Sequence, residues 1–154
     1  GFAVSSPNFS LASQIQPPWD NCITISGDNN AEAREFYNIT AFPLFAWSSL
    51  GGGFFSGKLD RDNLVFEDYY LKLAVECYAG PDNFVRLDRC IELGKKYGQT
   101  AIQIALRWLI SQPANLFPLV GCANAEEYRS LASVIDTKLS VSECRYLNLE
   151  ADFL

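Results

Sequence analysis

Three short apolar runs end in serine or glycine, and the second and third are followed by segments with helix-cap signals. No other feature limits the fold as strongly. The runs are residues 1–6 (GFAVSS), 44–49 (LFAWSS) and 116–121 (LFPLVG). Asn30 opens a predicted helix over 31–39, with acids in its first turn. A second helix is predicted at 83–97, with Lys95-Lys96 in its last turn and Gly98 just beyond. Thr100-x-x-Gln103 is a capping box for a helix over 101–112, which Pro113 ends. Asn124-x-x-Glu127 caps 125–134, and Ser140-x-x-Glu143 caps 141–149. Residues 7–29 and 59–80 show no clear periodicity and are predicted to be irregular. Strands alternating with helices imply parallel strands joined by right-handed crossovers. The length suits a single domain over 1–154. A closed barrel of this kind needs eight strands and at least about 200 residues. The expectation is therefore an α/β fold with about three parallel strands and intervening helices, an incomplete barrel.

The second run leads into the stretch that carries most of the chemical signal, Pro43 to Lys58 (PLFAWSSLGGGFFSGK). A strand that ends in Ser48-Ser49 and runs into Gly51-Gly52-Gly53 presents backbone N–H groups at its C-terminal edge. Ligands of open α/β sheets and barrels bind at that edge. Glycines let the backbone approach a phosphate closely. Trp47 offers a flat face to an aromatic ring. The plain alternative is a core strand followed by a mobile loop. Gly52-x-x-x-x-Gly57-Lys58 has the spacing of a nucleotide P-loop, but Leu59 stands where magnesium binding needs Ser or Thr. Asp60-Arg61-Asp62-Asn63 then reads as a turn, so the P-loop reading is set aside. A second anion candidate is Gly121-Cys122-Ala123-Asn124, where a strand meets a helix N-terminus. An ordinary helix cap is its plain alternative, and the neighbouring Glu126 and Glu127 would repel phosphate.

Net charge of −6 with no basic run argues against a nucleic-acid partner. Five widely spaced cysteines (22, 77, 90, 122 and 144) with no CxxC pair point to free thiols in a reducing compartment, hence the cytoplasm. The sequons at Asn8 and Asn38 are read as chance, and no apolar run is long enough to span a membrane. There is no histidine, so no Ser-His or Cys-His pair can form. Tyr37, Tyr78, Lys58 and Lys95 could move protons, but nothing in the sequence brings them together. There is no methionine, and Gly1 opens directly in an apolar run. The chain is expected to be a piece of something longer, or a truncated product without a function of its own.

Three segments together resemble the C-terminal half of an aldo-keto reductase. Residues 45–58 are similar to the seventh barrel strand and the loop over the cofactor diphosphate. Residues 83–131 resemble two helices, the eighth strand and the cofactor-binding helix, and residues 3–12 resemble the sixth strand. The resemblance implies the C-terminal part of a (β/α)8 barrel that binds NADP, with NAD as the alternative, and reduces a small carbonyl substrate without metal. It places Trp47 against the nicotinamide, and Ser48, Leu50 and Gly52 around the diphosphate. Gly121, Cys122, Ala123 and Asn124 fall around the adenosine phosphate. Ser6 stands where a glutamine usually binds the carboxamide. Leu131 replaces a common adenine-binding asparagine. Gly121 replaces a lysine of many animal members but is familiar in the bacterial and channel-subunit-like branches. Glu127 falls where many members carry Arg or Gln, leaving Arg129 as a substitute cation. The family's Asp, Tyr, Lys and His set belongs to the first half of the barrel, so no catalytic residue is assigned here. Exposed edges of a partial barrel also imply self-association.

Overall fold

The computed structural model describes residues 1–154. Its centre is a small parallel sheet. Strand β1 (Leu44–Ala46) pairs with β2 (Leu116–Pro118), Leu44 opposite Leu116 and Phe45 opposite Phe117. The first apolar run joins on the other side of β1, but later in the chain than expected. Ser5 bridges Leu44 and Asn8 bridges Trp47, both parallel and in one register. The Ser5 N–H donates to Pro43 O at 2.9 Å, and the Phe45 N–H donates to Ser5 O at 2.8 Å. The predicted strand over 1–6 is thus a run of bridges over 5–9, and residues 1–4 lie exposed beside it. Beyond it, Ile23 and Ile25 hold both backbone groups of Asn8, so part of the 7–29 loop extends the sheet by one bridge. Two parallel strands, with the first run adding only isolated bridges where a third strand was expected, form the small parallel sheet of the expected incomplete barrel.

Side chains alternate across this sheet. Leu44 and Ala46 are fully buried and belong to the main core. Phe45 and Phe117 stack on the opposite face at 4.9 Å, and Phe117 is 45% exposed. One face is therefore covered by helices and the other is open.

Helix α1 (Ala31–Thr40) forms where expected, but Asn30 does not cap it. The Asn30 amide instead donates to Ser26 O at 2.7 Å, and a short 3-10 turn at Asp28–Asn30 leads in. Helix α2 (Tyr69–Tyr78) lies in the stretch expected to be irregular. Its cap is Asp68, whose carboxylate accepts the Leu71 N–H at 2.9 Å. Helix α3 (Pro81–Tyr97) starts at a proline in its first turn, two residues before the sequence boundary. Helix α4 (Ala101–Ile110) follows, with the Gln103 side chain accepting the Thr100 N–H at 2.9 Å. Gly94 lets the two helices close up, because a Cβ there would sit 2.4 Å from Gln99 O. Helix α4 is the most enclosed element and buries Ile104, Ala105, Leu106, Trp108 and Leu109. Helices α5 (Ala125–Ala132) and α6 (Val141–Leu147) are slightly shorter than predicted. Glu143 completes the α6 capping box with Ser140 and also takes Lys96 Nζ at 2.8 Å and the Tyr97 hydroxyl, which locks α6 onto the end of α3.

Candidate functional site: the C-terminal ends of the parallel strands

Trp47 is the last paired residue of the central strand. Its N–H donates to Pro7 O at 3.3 Å, and its carbonyl accepts from the Phe9 N–H and the Asn8 amide, both at 3.4 Å. Asn8 is fully buried; its amide also donates to the Tyr78 hydroxyl at 3.0 Å, while its carbonyl oxygen takes Thr24 Oγ1 at 2.8 Å. A glycosylation acceptor cannot be this enclosed. Burial pushes the Tyr78 phenol above its ordinary pKa, against smaller opposing hydrogen bonds from Asn8 and Ser48. Tyr78 is buried, and the Asn8 amide links its hydroxyl to the Trp47 carbonyl. Tyr37, by contrast, bonds Ser5 Oγ at 2.8 Å.

The chain after Trp47 turns sharply. Ser48 has φ of +46°, and Gly51, Gly52 and Gly53 follow at +64°, +60° and +95°. All four lie in the left-handed region, which glycine takes without strain. The turn is pinned at both ends. Ser49 Oγ donates to Leu119 O at 2.7 Å, and the Phe54 and Phe55 rings are fully buried in edge-to-face contact. Leu50 is buried as well, so its side chain anchors the turn while Gly52 and Gly53 form its outer rim. A Cβ on Gly53 would meet nothing within 4 Å, so open space surrounds the backbone there. No apolar helix follows Gly57-Lys58; Asp60 and Asn63 pair instead, which disposes of the P-loop.

The structure brings this turn beside the end of β2, through the Ser49–Leu119 bond and the Leu119 N–H to Ala46 O bond at 2.8 Å. Ser6 lies one step below Trp47, exposed, its hydroxyl bonded to Phe45 O at 2.7 Å. Gly121, Ala123 and Asn124 are exposed, and Cys122 is half-buried against the core. The α5 N-terminus is already satisfied from within. Asn124 Oδ1 accepts the N–H groups of Glu126 and Glu127 at 3.0 and 2.9 Å, and Glu127 Oε2 accepts the Ala123 N–H at 2.8 Å. The Glu127 carboxylate thus holds an amide an anion would need.

One residue at the candidate site escaped sequence reasoning. Trp19, in the 7–29 loop, stacks on Trp47 with ring centroids 4.9 Å apart and planes 20° from parallel. The only signal was an aromatic after Pro17-Pro18. Two cavities of about 50 Å³ lie elsewhere, beneath Arg34 and Gln112, and neither includes Trp47 or the glycine turn. The strand-end site is a shelf whose glycine rim is open, while one face of Trp47 is covered by Trp19. The turn offers backbone that could line a diphosphate; at 121–127 the Glu127 carboxylate already occupies the Ala123 N–H.

Parallel strands joined through helices, with a glycine turn at their C-terminal ends, are compatible with a portion of a (β/α)8 barrel. The aldo/keto reductase family model matches residues 10–149, and the chain belongs to that family. It is 25% identical over 105 residues to the uncharacterized oxidoreductase YrpG of Bacillus subtilis, covering 68% of this chain and 31% of that protein. It is 26% identical to a putative aryl-alcohol dehydrogenase of Schizosaccharomyces pombe (84% and 38% covered) and 23% identical to versiconal hemiacetal acetate reductase of Aspergillus parasiticus (86% and 41%). The fold matches the thermostable aldo-keto reductase Tm1743, solved with the inhibitor epalrestat, at TM-score 0.57 and 18% identity over 98% of this chain and 40% of that one. The chain spans about a third to two fifths of the length of these relatives.

Proposed function

We propose that this chain is the dinucleotide-binding part of an NAD(P)H-dependent oxidoreductase that reduces a small aldehyde or ketone. The observation that carries this reading is an indole at the end of a parallel strand followed by a pinned, left-handed glycine turn, in a chain of this family. Trp47 would orient the nicotinamide, and the backbone of Leu50 to Gly53 would line the diphosphate, with Ser6 near the carboxamide. A bound nicotinamide supplies the hydride. The proton that completes carbonyl reduction needs a donor, which the family resemblance places in the first half of the barrel. NADP is what the family resemblance implies; the Glu127 carboxylate on the Ala123 N–H favours NAD instead. Calorimetry on residues 1–154 should detect NADH binding, and an aldehyde panel with NADH should show no turnover. Absence of binding, or robust turnover by this chain alone, would refute the reading.

A second reading has its own observation. Phe117, Leu119 and Val4 are each about half exposed and Phe2 is 93% exposed, and β2 has no sheet partner beyond β1. Such a face invites self-association, so the half-barrel would act as an interaction module. A dimer by light scattering that is indifferent to NADH supports this alternative; a monomer that binds NADH removes it.

A further inference from the structure

We propose that Trp19 is a displaceable cover on the ring site, which holds the outer face of Trp47 in the empty protein and sets the affinity for a planar ring. This rests on the reading of Trp47 as the ring platform. Rings with centroids 4.9 Å apart are in contact, so no third ring fits between the two indoles. A ring that lands on that face must move one of them.

The structure decides which one moves. The Trp47 main chain is held in the sheet through its N–H and its carbonyl, and its side chain is half-buried at the strand end. Trp19 is 57% exposed, and its backbone carbonyl accepts a bond from within its own turn, the Cys22 N–H at 3.2 Å. The chain is fixed again just beyond, where Ile23 O and the Ile25 N–H grip Asn8. Pro17-Pro18 stiffens the approach, and Asn21, at φ of +61°, bends the turn back. Trp19 therefore sits at the tip of a short arm hinged against the same residue that holds Trp47. The arm can swing while its root stays in the sheet.

An aromatic pair of this kind is worth enough to shift an affinity by about 2- to 10-fold. The test uses residues 1–154 and the variants Trp19→Ala and Trp19→Phe, with NADH as the probe and ADP-ribose, which keeps the adenosine diphosphate but lacks the nicotinamide ring, as its control. Two indoles in face contact couple their transitions, giving a paired positive and negative band in far-UV circular dichroism. That band should be present in the unchanged chain and absent in Trp19→Ala, with the helical signal kept because Trp19 is largely exposed. Trp19→Ala should bind NADH about 2- to 10-fold more tightly with ADP-ribose affinity unchanged; Trp19→Phe should fall between. Unchanged or weaker NADH binding once the band is lost overturns the inference and leaves the dinucleotide reading standing. A missing band in the unchanged chain overturns it too. If NADH binds to none of the three proteins, the dinucleotide reading itself fails, and this inference with it.

Discussion

Glu143 offers the sharpest physical test of how the fold is held. Its side chain is almost wholly buried, a position that alone would raise a carboxyl pKa. Hydrogen bonds from Lys96, Tyr97 and Ser140 outweigh that burial and hold it at about 2, against an ordinary value of 4.5. A carboxylate with a lowered folded-state pKa stabilises the fold above the unfolded value. That stability is lost as pH falls from about 4.5 toward 2. At about 1.4 kcal/mol for each pH unit the gap corresponds to roughly 3 kcal/mol. Lys96 is 55% exposed, so water screens part of it and about 2 kcal/mol is the better figure. Glu143→Gln should therefore cost about 2 kcal/mol at pH 6 and unfold with a shallower pH dependence between pH 5 and 2.5. Urea titrations of both proteins at several pH values measure this directly. Two parallel stability curves, with a constant offset down to pH 2.5, would refute the argument.

Two further substitutions probe other parts of the account. Gly94→Ala places a methyl 2.4 Å from Gln99 O; overpacking outweighs the helix-propensity gain, for a net loss of about 1–3 kcal/mol in urea unfolding. Glu127→Gln removes the carboxylate from the Ala123 N–H, so affinity for NADPH relative to NADH, read by calorimetry, should rise up to about 5-fold in low salt.

Much of the fold could be read from local signals. The capping residues at Thr100, Asn124 and Ser140 each open a helix at the expected residue, because a cap is decided by side chains within a few positions. Asn30 failed as a cap because it closes the 3-10 turn Asp28–Asn30 with φ −111° and ψ 21°, not the extended backbone from which a cap's side-chain oxygen reaches the first helical N–H groups. Helix α2 was missed although Asp68 stands at its start; its Tyr-Tyr-Leu opening hid the helical period. The first strand slid to 5–9 because pairing with β1, not the run's own composition, sets where it begins. At the site, Trp47, the glycine turn and Asn124 could be picked out as local features of strand, turn and cap. Trp19 over Trp47 and Glu127 on Ala123 could not, since each depends on where a side chain lands in three dimensions.

The central claim is that a dinucleotide lies across the strand ends, its ring at Trp47 and its diphosphate along the glycine turn. Amide and indole NMR shifts of residues 1–154, titrated with NADH, test it most directly. The account predicts saturable shifts concentrated at the Trp47 indole and the amides of residues 48–53 and 121–124, with ADP-ribose reproducing all but the indole shift. Shifts that fall instead around the cavities under Arg34 and Gln112, or no saturable shifts at all, would contradict it.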